Sequence, residues 1–274
     1  MLEKLPLPSA HDGALWFHAS THHFREKHRH EELEVNLVTA GTARYLLDDR
    51  TYALTPGSMI WLFPGQNHLL LDKSPDYRMW ILVFRPRLLR RICRAAGRRV
   101  LLESAPAGDF CRQLPVARAR ELQRAFADTH ARAADVDRLN AGLACAVLDA
   151  WDAFLHADRP VVGADVHPAV KRAAELLRQA PDNDDLATLA RQAGLSRTRL
   201  SELFRQQTGI SLVDFRNRLR LERFAAHQAS TSHTTLLASA LEAGFGSYQQ
   251  FYRIHRRHLG RSPRAHQNAA PSPA

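Results

Sequence analysis

Hydrophobic and polar positions change rhythm twice along the 274-residue chain. Up to about residue 84 they alternate in short runs. Leu33-Glu-Val-Asn-Leu-Val, Ala43-Arg-Tyr-Leu-Leu, Ser58-Met-Ile-Trp-Leu-Phe and Tyr77-Arg-Met-Trp-Ile-Leu-Val-Phe read as strands, because alternate side chains of a strand share a face. Thr39-Ala-Gly-Thr, Asp48-Asp-Arg and Thr55-Pro-Gly-Ser read as the turns between them. Strands so spaced predict a β-sandwich or barrel. From about Arg87 to His156 the spacing becomes helical, with Leu139, Leu143, Val147, Trp151 and Phe154 forming one apolar stripe. The stripe predicts a dimerisation face. Asp158-Arg-Pro-Val-Val-Gly-Ala reads as a linker, and beyond it the pattern is one of short helices.

Those short helices repeat. Asp184-Asp-Leu-Ala-Thr-Leu-Ala-Arg-Gln-Ala-Gly-Leu-Ser starts with acidic capping residues and puts Leu186, Leu189 and Ala190 on one face. Gly194 ends the helix, where a left-handed backbone needs no side chain. Ser196 opens a second helix whose Leu200, Leu203 and Phe204 face inward. Two short helices crossing over a glycine turn make a helix-turn-helix. Arg197, Thr198, Arg199, Ser201, Glu202 and Arg205 are then placed to meet DNA, as N-terminal residues of such a helix reach base edges in a major groove. The pattern returns 50 residues later as Gly244-Phe245 and 51 residues later as Phe251 and Gly260-Arg-Ser262, with one insertion at Gly246. Its reading residues are Tyr248, Gln249, Gln250 and Arg253. Ser211-Leu-Val-Asp opens a connecting helix that runs to about His227.

Charge agrees with this. The chain carries 38 Lys plus Arg against 28 Asp plus Glu. From Asp165 onward there are 16 basic and 9 acidic residues, so a minority of the chain holds most of the excess. That favours a polyanionic partner, whose counterions are released on binding. No apolar run is long enough for a membrane span, and the opening residues lack a signal-peptide core, so a cytoplasmic location is expected. Cys93, Cys111 and Cys145 fit neither a disulfide framework nor a zinc-finger spacing and read as buried small hydrophobes.

Residues 166–266 resemble the AraC/XylS family of bacterial transcription regulators. The marks are Leu186-Ala, Leu189-Ala190, Gly194-Leu-Ser, Leu203-Phe204, Thr208-Gly209, Arg220, Ala240, Gly244-Phe245 and Gly260-Arg-Ser-Pro263. Departures gather in the second copy: Ser239 stands where the family usually has Ile, His255 where it has Phe, and His227-Gln228 where it has a Leu pair.

The N-terminal part resembles a cupin, a sensor domain that such regulators often carry. His28-Arg-His30-Glu-Glu-Leu-Glu34 is followed by Gly41, and Gly57, Gly65 and His68 supply a second half, although His22 and Phe63 depart from the motifs. The resemblance implies that His28, His30, Glu34 and His68 converge inside a barrel, a donor set suited to Zn, Ni, Fe or Mn. The same residues in a sensor can instead simply hydrogen-bond within the fold. Leu37, Tyr45 and Trp61 lie on strands that would line an effector cavity.

The expected architecture is α+β: a cupin-like β-barrel sensor (1–86), a helical dimerisation segment and linker (87–164), an all-α domain with two helix-turn-helix units (165–268) and a disordered tail (269–274). The expected function is a sequence-specific regulator controlled by a small effector or metal, with double-stranded DNA, a second copy of the chain and RNA polymerase as partners and no catalysis. A metal-dependent cupin enzyme, a dioxygenase or isomerase with a fused helical module, is the alternative.

Overall fold

The computed structural model describes residues 5, 7–19, 31–48, 50–64, 66, 68–182, 185–230, 234–260 and 262–264. His28 and His30, and the tail over 269–274, lie outside them. The described residues divide into two compact units, one ending at Asp165 and one starting at Val166.

In the first unit the described strands are β1 (Gly13–Ala19), β2 (Leu33–Ala40), β3 (Ala43–Leu47), β4 (Arg50–Leu54), β5 (Ser58–Leu62), β6 (His68–Lys73), β7 (Arg78–Phe84), β8 (Cys111–Gln113), β9 (Arg159–Pro160) and β10 (Ala164–Asp165). They pair into a six-stranded sheet, ordered β1-β7-β2-β5-β8-β9, and a four-stranded sheet, ordered β10-β4-β3-β6. Among the described residues no pairing closes the two sheets into a barrel. Asp48, with φ of 50°, makes the tight turn between β3 and β4 in a conformation that Asp tolerates.

The six-stranded sheet is apolar on both faces. Leu33, Val35 and Leu37, Met59 and Trp61, and Trp80, Leu82 and Phe84 face one way into a core shared with helices. Val38, Ile60, Leu62, Met79 and Ile81 face the other way, into a core shared with Tyr45, Leu47, Tyr52 and Leu54 of the smaller sheet. Because strand side chains alternate with period two, one register sets both cores.

The helices α1 (Pro86–Ile92), α2 (Val116–Ala131) and α3 (Val136–Leu155), with a 3₁₀ turn over Ala96–Leu102, cover the outer face. Pro86 starts α1, and Asp135 caps α3 by accepting from the Asp137 and Arg138 amides. All five stripe residues of α3 lie in the sheet–helix core and are at most 3% exposed. This corrects the expected dimerisation face: Leu139, Leu143, Val147, Trp151 and Phe154 are the inner wall of their own domain. The span 87–164 is therefore part of the same folded unit as the sheets, not a separate helical segment.

The expected linker is also bound. β9 pairs with β8 in the larger sheet and β10 with β4 in the smaller one. Asp165 accepts from Arg50 Nε at 3.1 Å, and a side chain at Gly163 would overlap the Tyr52 ring. The segment straps the two sheets together. Cys93 and Cys111 are buried as expected, but Cys145 is exposed on α3.

The second unit contains α4 (Pro168–Gln179), α5 (Leu186–Gln192), α6 (Arg197–Thr208), α7 (Leu212–Ser230), α8 (Leu236–Glu242) and α9 (Tyr248–Leu259). Helix α4 buries Val170, Ala173, Ala174 and Leu177. No described helix of the chain is long and apolar enough to cross a membrane.

Candidate nucleic-acid interface and ligand-binding sandwich

The two helix-turn-helix units are built alike, apart from one inserted residue in the second turn. Helices α5 and α8 have 7 residues each, and α6 and α9 have 12 each. Asp185 caps α5 and Thr235 caps α8. Each turn closes on a glycine of positive φ, Gly194 at 81° and Gly244 at 92°. In each the next amide returns to the helix, Leu195 to the Ala190 carbonyl and Phe245 to the Ala240 carbonyl, both at 3.0 Å. Ser196 and Ser247 then cap α6 and α9, and Gly209 and Gly260 end them in the left-handed region. The inserted Gly246 lies in the second turn, where its amide donates to Gln250 Oε1 at 2.8 Å.

On α6, Arg197, Thr198, Arg199, Glu202 and Arg205 are exposed. Arg199 Nη1 lies 3.9 Å from Glu202 Oε2, a loose pair that leaves the guanidinium able to turn outward. Ser201 is half-buried, and its hydroxyl donates to the Arg197 carbonyl at 2.8 Å. On α9, Gln249, Tyr252 and Arg253 are exposed. Two predicted readers of that helix have other occupations. Gln250 is folded back onto the turn, and Tyr248 is half-buried beside Phe251. Sequence reasoning did not place Arg256 and Arg257 in this set; they are exposed on the same helix. The spacing of α9 contained them.

In the first unit the alternation of β2 splits the predicted site. Glu34 and Asn36 lie on the face opposite Leu33, Val35 and Leu37, between the sheets. Asn36 Nδ2 donates to Glu34 Oε1 at 2.8 Å. Tyr45 joins them from β3 of the facing sheet and Tyr77 from the residue just before β7; each phenol is pushed well above its usual range, first by burial and further by the Glu34 carboxylate. Tyr77 Oη donates to Met79 Sδ at 3.1 Å. Asn36 is fully buried, and its Oδ1 has no hydrogen-bond partner among the described residues. Of the three predicted cavity residues only Tyr45 faces this interior. Leu37 and Trp61 point to the helix side, a correction imposed by their odd register on β2 and β5.

His68 is buried opposite Leu47, hence on the interior side of the smaller sheet. Among the described residues no group of three or more His, Cys, Asp or Glu side chains comes together. Glu34 and His68 thus supply two of the four predicted donors, and the other two fall outside the described residues.

A family model described as an AraC-like ligand binding domain matches residues 16–148, and one described as a helix-turn-helix domain matches residues 189–269. The chain belongs to the AraC/XylS family. The arabinose operon regulatory protein of Escherichia coli is 36% identical over 84 residues, 31% of this chain and 28% of that protein. That of Salmonella typhimurium is 31% identical over 109 residues, 38% of either. These matches span well under half of the curated relatives' length. Among solved structures, unsaturated fatty acid bound wild-type ToxT from Vibrio cholerae has a TM-score of 0.41 at 11% identity over 96% of each chain. The C-terminal domain of AraT, a response regulator from Geobacillus stearothermophilus, has a TM-score of 0.36 at 23% identity, over 39% of this chain and 89% of that one.

Within this AraC/XylS chain the departures of the second copy answer one another. Ser239 is fully buried, and its hydroxyl receives the Gln228 amide at 2.6 Å, lies 3.0 Å from His227 Nδ1 and donates to Thr234 at 3.2 Å. His255 packs edge-on against Phe224 and Phe251. Polar residues that would be costly singly are held as a hydrogen-bonded set, which keeps α8 and α9 seated on α7.

Proposed function

We propose that the chain is a transcription regulator that reads double-stranded DNA with both helix-turn-helix units and answers a small effector bound between its two sheets. The observation that carries the reading is the duplication: two complete caps, turns and 12-residue helices, each presenting exposed arginine near its solvent face. Bidentate guanidinium groups suit guanine O6 and N7, and the further arginines suit phosphate. On α9, Gln249, Arg253 and Arg256 carry the contacts, with Gln250 and Tyr248 supporting them.

The effector reading rests on the sandwich interior, where a buried amide oxygen of Asn36 beside Glu34, Tyr45 and Tyr77 has no donor among the described residues. A small molecule offering hydroxyl donors suits this chemistry better than a metal, for which the described donors are only Glu34 and His68. Binding there alters DNA affinity only if it distinguishes the two states of the protein. Homodimerisation, where it occurs, uses a surface other than the α3 stripe. RNA polymerase contact and a cytoplasmic location follow from the regulator reading, and no reaction is assigned.

The test is binding of the full chain to duplexes selected from a random library, measured from about 50 to 200 mM salt. Selected DNA should bind at least about 10³-fold tighter than random DNA, with affinity falling steeply as salt rises. Equal affinity for both would reject the reading.

A further inference from the structure

We propose that Arg220 is a positioning residue that fixes the separation of the two reading helices, by anchoring both helix-turn-helix units to the loop Pro181–Asp182. This rests on the reading that both units meet DNA. Arg220 lies in the middle of α7 and has no exposed surface. Its Nε donates to the Pro181 carbonyl at 2.6 Å and its Nη2 to the Asp182 carbonyl at 3.1 Å. One turn further along α7, Arg223 Nη1 lies 3.6 Å from the Asp182 carboxylate. That loop leads within three residues to Asp185, the cap of α5, so it places the first unit.

The same loop seats the second unit. A side chain at Gly244 would come within 2.8 Å of Asp182 Cα and Cβ, so the second turn lies directly on the loop. At Gly194, the matching position of the first turn, a side chain would meet nothing within 4 Å. The contact is thus particular to the second copy, not a property of the turn. The Arg220 guanidinium also stands 6.0 Å from the Phe245 ring, and Phe245 packs at 5.2 Å on Phe251 of α9. One buried cation therefore links the loop that starts α5 to the ring that seats α9.

Two reading helices on one duplex gain affinity only when both engage together, and that gain depends on their separation. The experiment uses the full chain and the duplex that wild type recovers from a random library. Three versions are compared: both recognition blocks intact, the second block randomised, and the spacer lengthened by two base pairs. Arg220→Ala should lose about ten-fold or more on the intact duplex and less than about two-fold on the single-block duplex. It should also tolerate the lengthened spacer that wild type rejects. Its salt dependence should match wild type, because a fully buried guanidinium neutralises no phosphate. Arg220→Lys, able to meet one carbonyl, should fall between. Removing Arg220 strips the buried Pro181 carbonyl and the Asp182 carbonyl of a donor, so Arg223→Gln, which uncovers no buried group, provides a folded second variant with the same pattern at smaller size. Equal losses on all three duplexes, an unchanged spacer preference in folded variants or a shallower salt slope would overturn the assignment of Arg220. A single block recovered by wild type would instead reject two-headed reading, and this proposal with it.

Discussion

Trp61 of the larger sheet and Trp151 of α3 meet edge to face, their ring centroids 5.4 Å apart at 83°. Trp151 also stacks on Phe154 at 5.3 Å and donates its indole N–H to the Gly97 carbonyl at 2.9 Å. The α3 stripe is accordingly committed within its own domain. Trp151→Ala should destabilise the first unit by about 3–5 kcal/mol. Leu143→Asp should lower the melting temperature sharply and yield no folded monomer from a dimer. Sedimentation and circular dichroism together check this: a folded variant of smaller mass would return the stripe to an intermolecular role.

Acid should loosen the first unit through Asp12. Burial raises the Asp12 pKa, but the hydrogen bonds and charges of Arg91 and Arg87 outweigh it, so the carboxyl titrates below its ordinary value of 3.8. The ion pairs are 2.5 Å to Arg91 and 2.8 Å to Arg87. A depressed folded-state pKa means that the stabilisation is fully present above the ordinary value and is lost as pH falls through the depressed one. Asp12→Asn should therefore lower stability near neutrality and flatten its decline below about pH 4. An unchanged acid limb in denaturant titrations would remove Asp12 from this role.

The hydrogen-bonded set around Ser239 predicts non-additivity. Ser239→Ala leaves His227 and Gln228 without the buried hydroxyl they share and should cost about 1–3 kcal/mol. Replacing Ser239 by Ile together with His227 and Gln228 by Leu removes all three polar groups and should be near neutral. Chemical denaturation of single and triple variants gives the coupling. Additive losses would show that the three do not act as a unit.

On DNA, Arg197→Ala or Arg199→Ala should cost about 1–3 kcal/mol on selected sites and relax the requirement at one base pair, if that side chain reads a base. A loss equal on selected and random DNA would make it a phosphate contact. Glu202→Ala should not weaken binding, because it frees Arg199 from a 3.9 Å pair.

What the sequence disclosed depended on how local each signal was. The helix-turn-helix repeat was legible because capping residues, turn glycines and helix faces are set by neighbours a few positions away. Even its one-residue insertion at Gly246 could be placed. The strands with strong alternation, β2, β3, β5 and β7, were legible for the same reason. β1 and β6 were not, since their pairing partners β7 and β3 are distant in the chain, and β4, although it pairs with adjacent β3, is five residues whose own alternation is weak. The partner of the α3 stripe was beyond local reasoning: an apolar face shows that something covers it, not whether that is a sheet of the same chain. Trp61 was misassigned because Met59, Ile60, Trp61 and Leu62 are all apolar and mark neither face of β5, whereas Leu37 was legible from its own strand. Glu34 and Asn36 of β2 supplied such a mark on the interior face. The departures at Ser239, His227 and Gln228 were visible singly, but their mutual bonding needed α7 and α8 to be brought together.

Hydroxyl-radical footprinting of the full chain on a selected duplex tests the account most directly. Two reading helices predict two protected patches on one face of the DNA, about 34–36 Å apart, or one helical turn. Gly194→Pro, which disrupts the first turn, should erase only one of them. A single patch on wild-type protein, or protection spread evenly along the duplex, would contradict the two-headed reading.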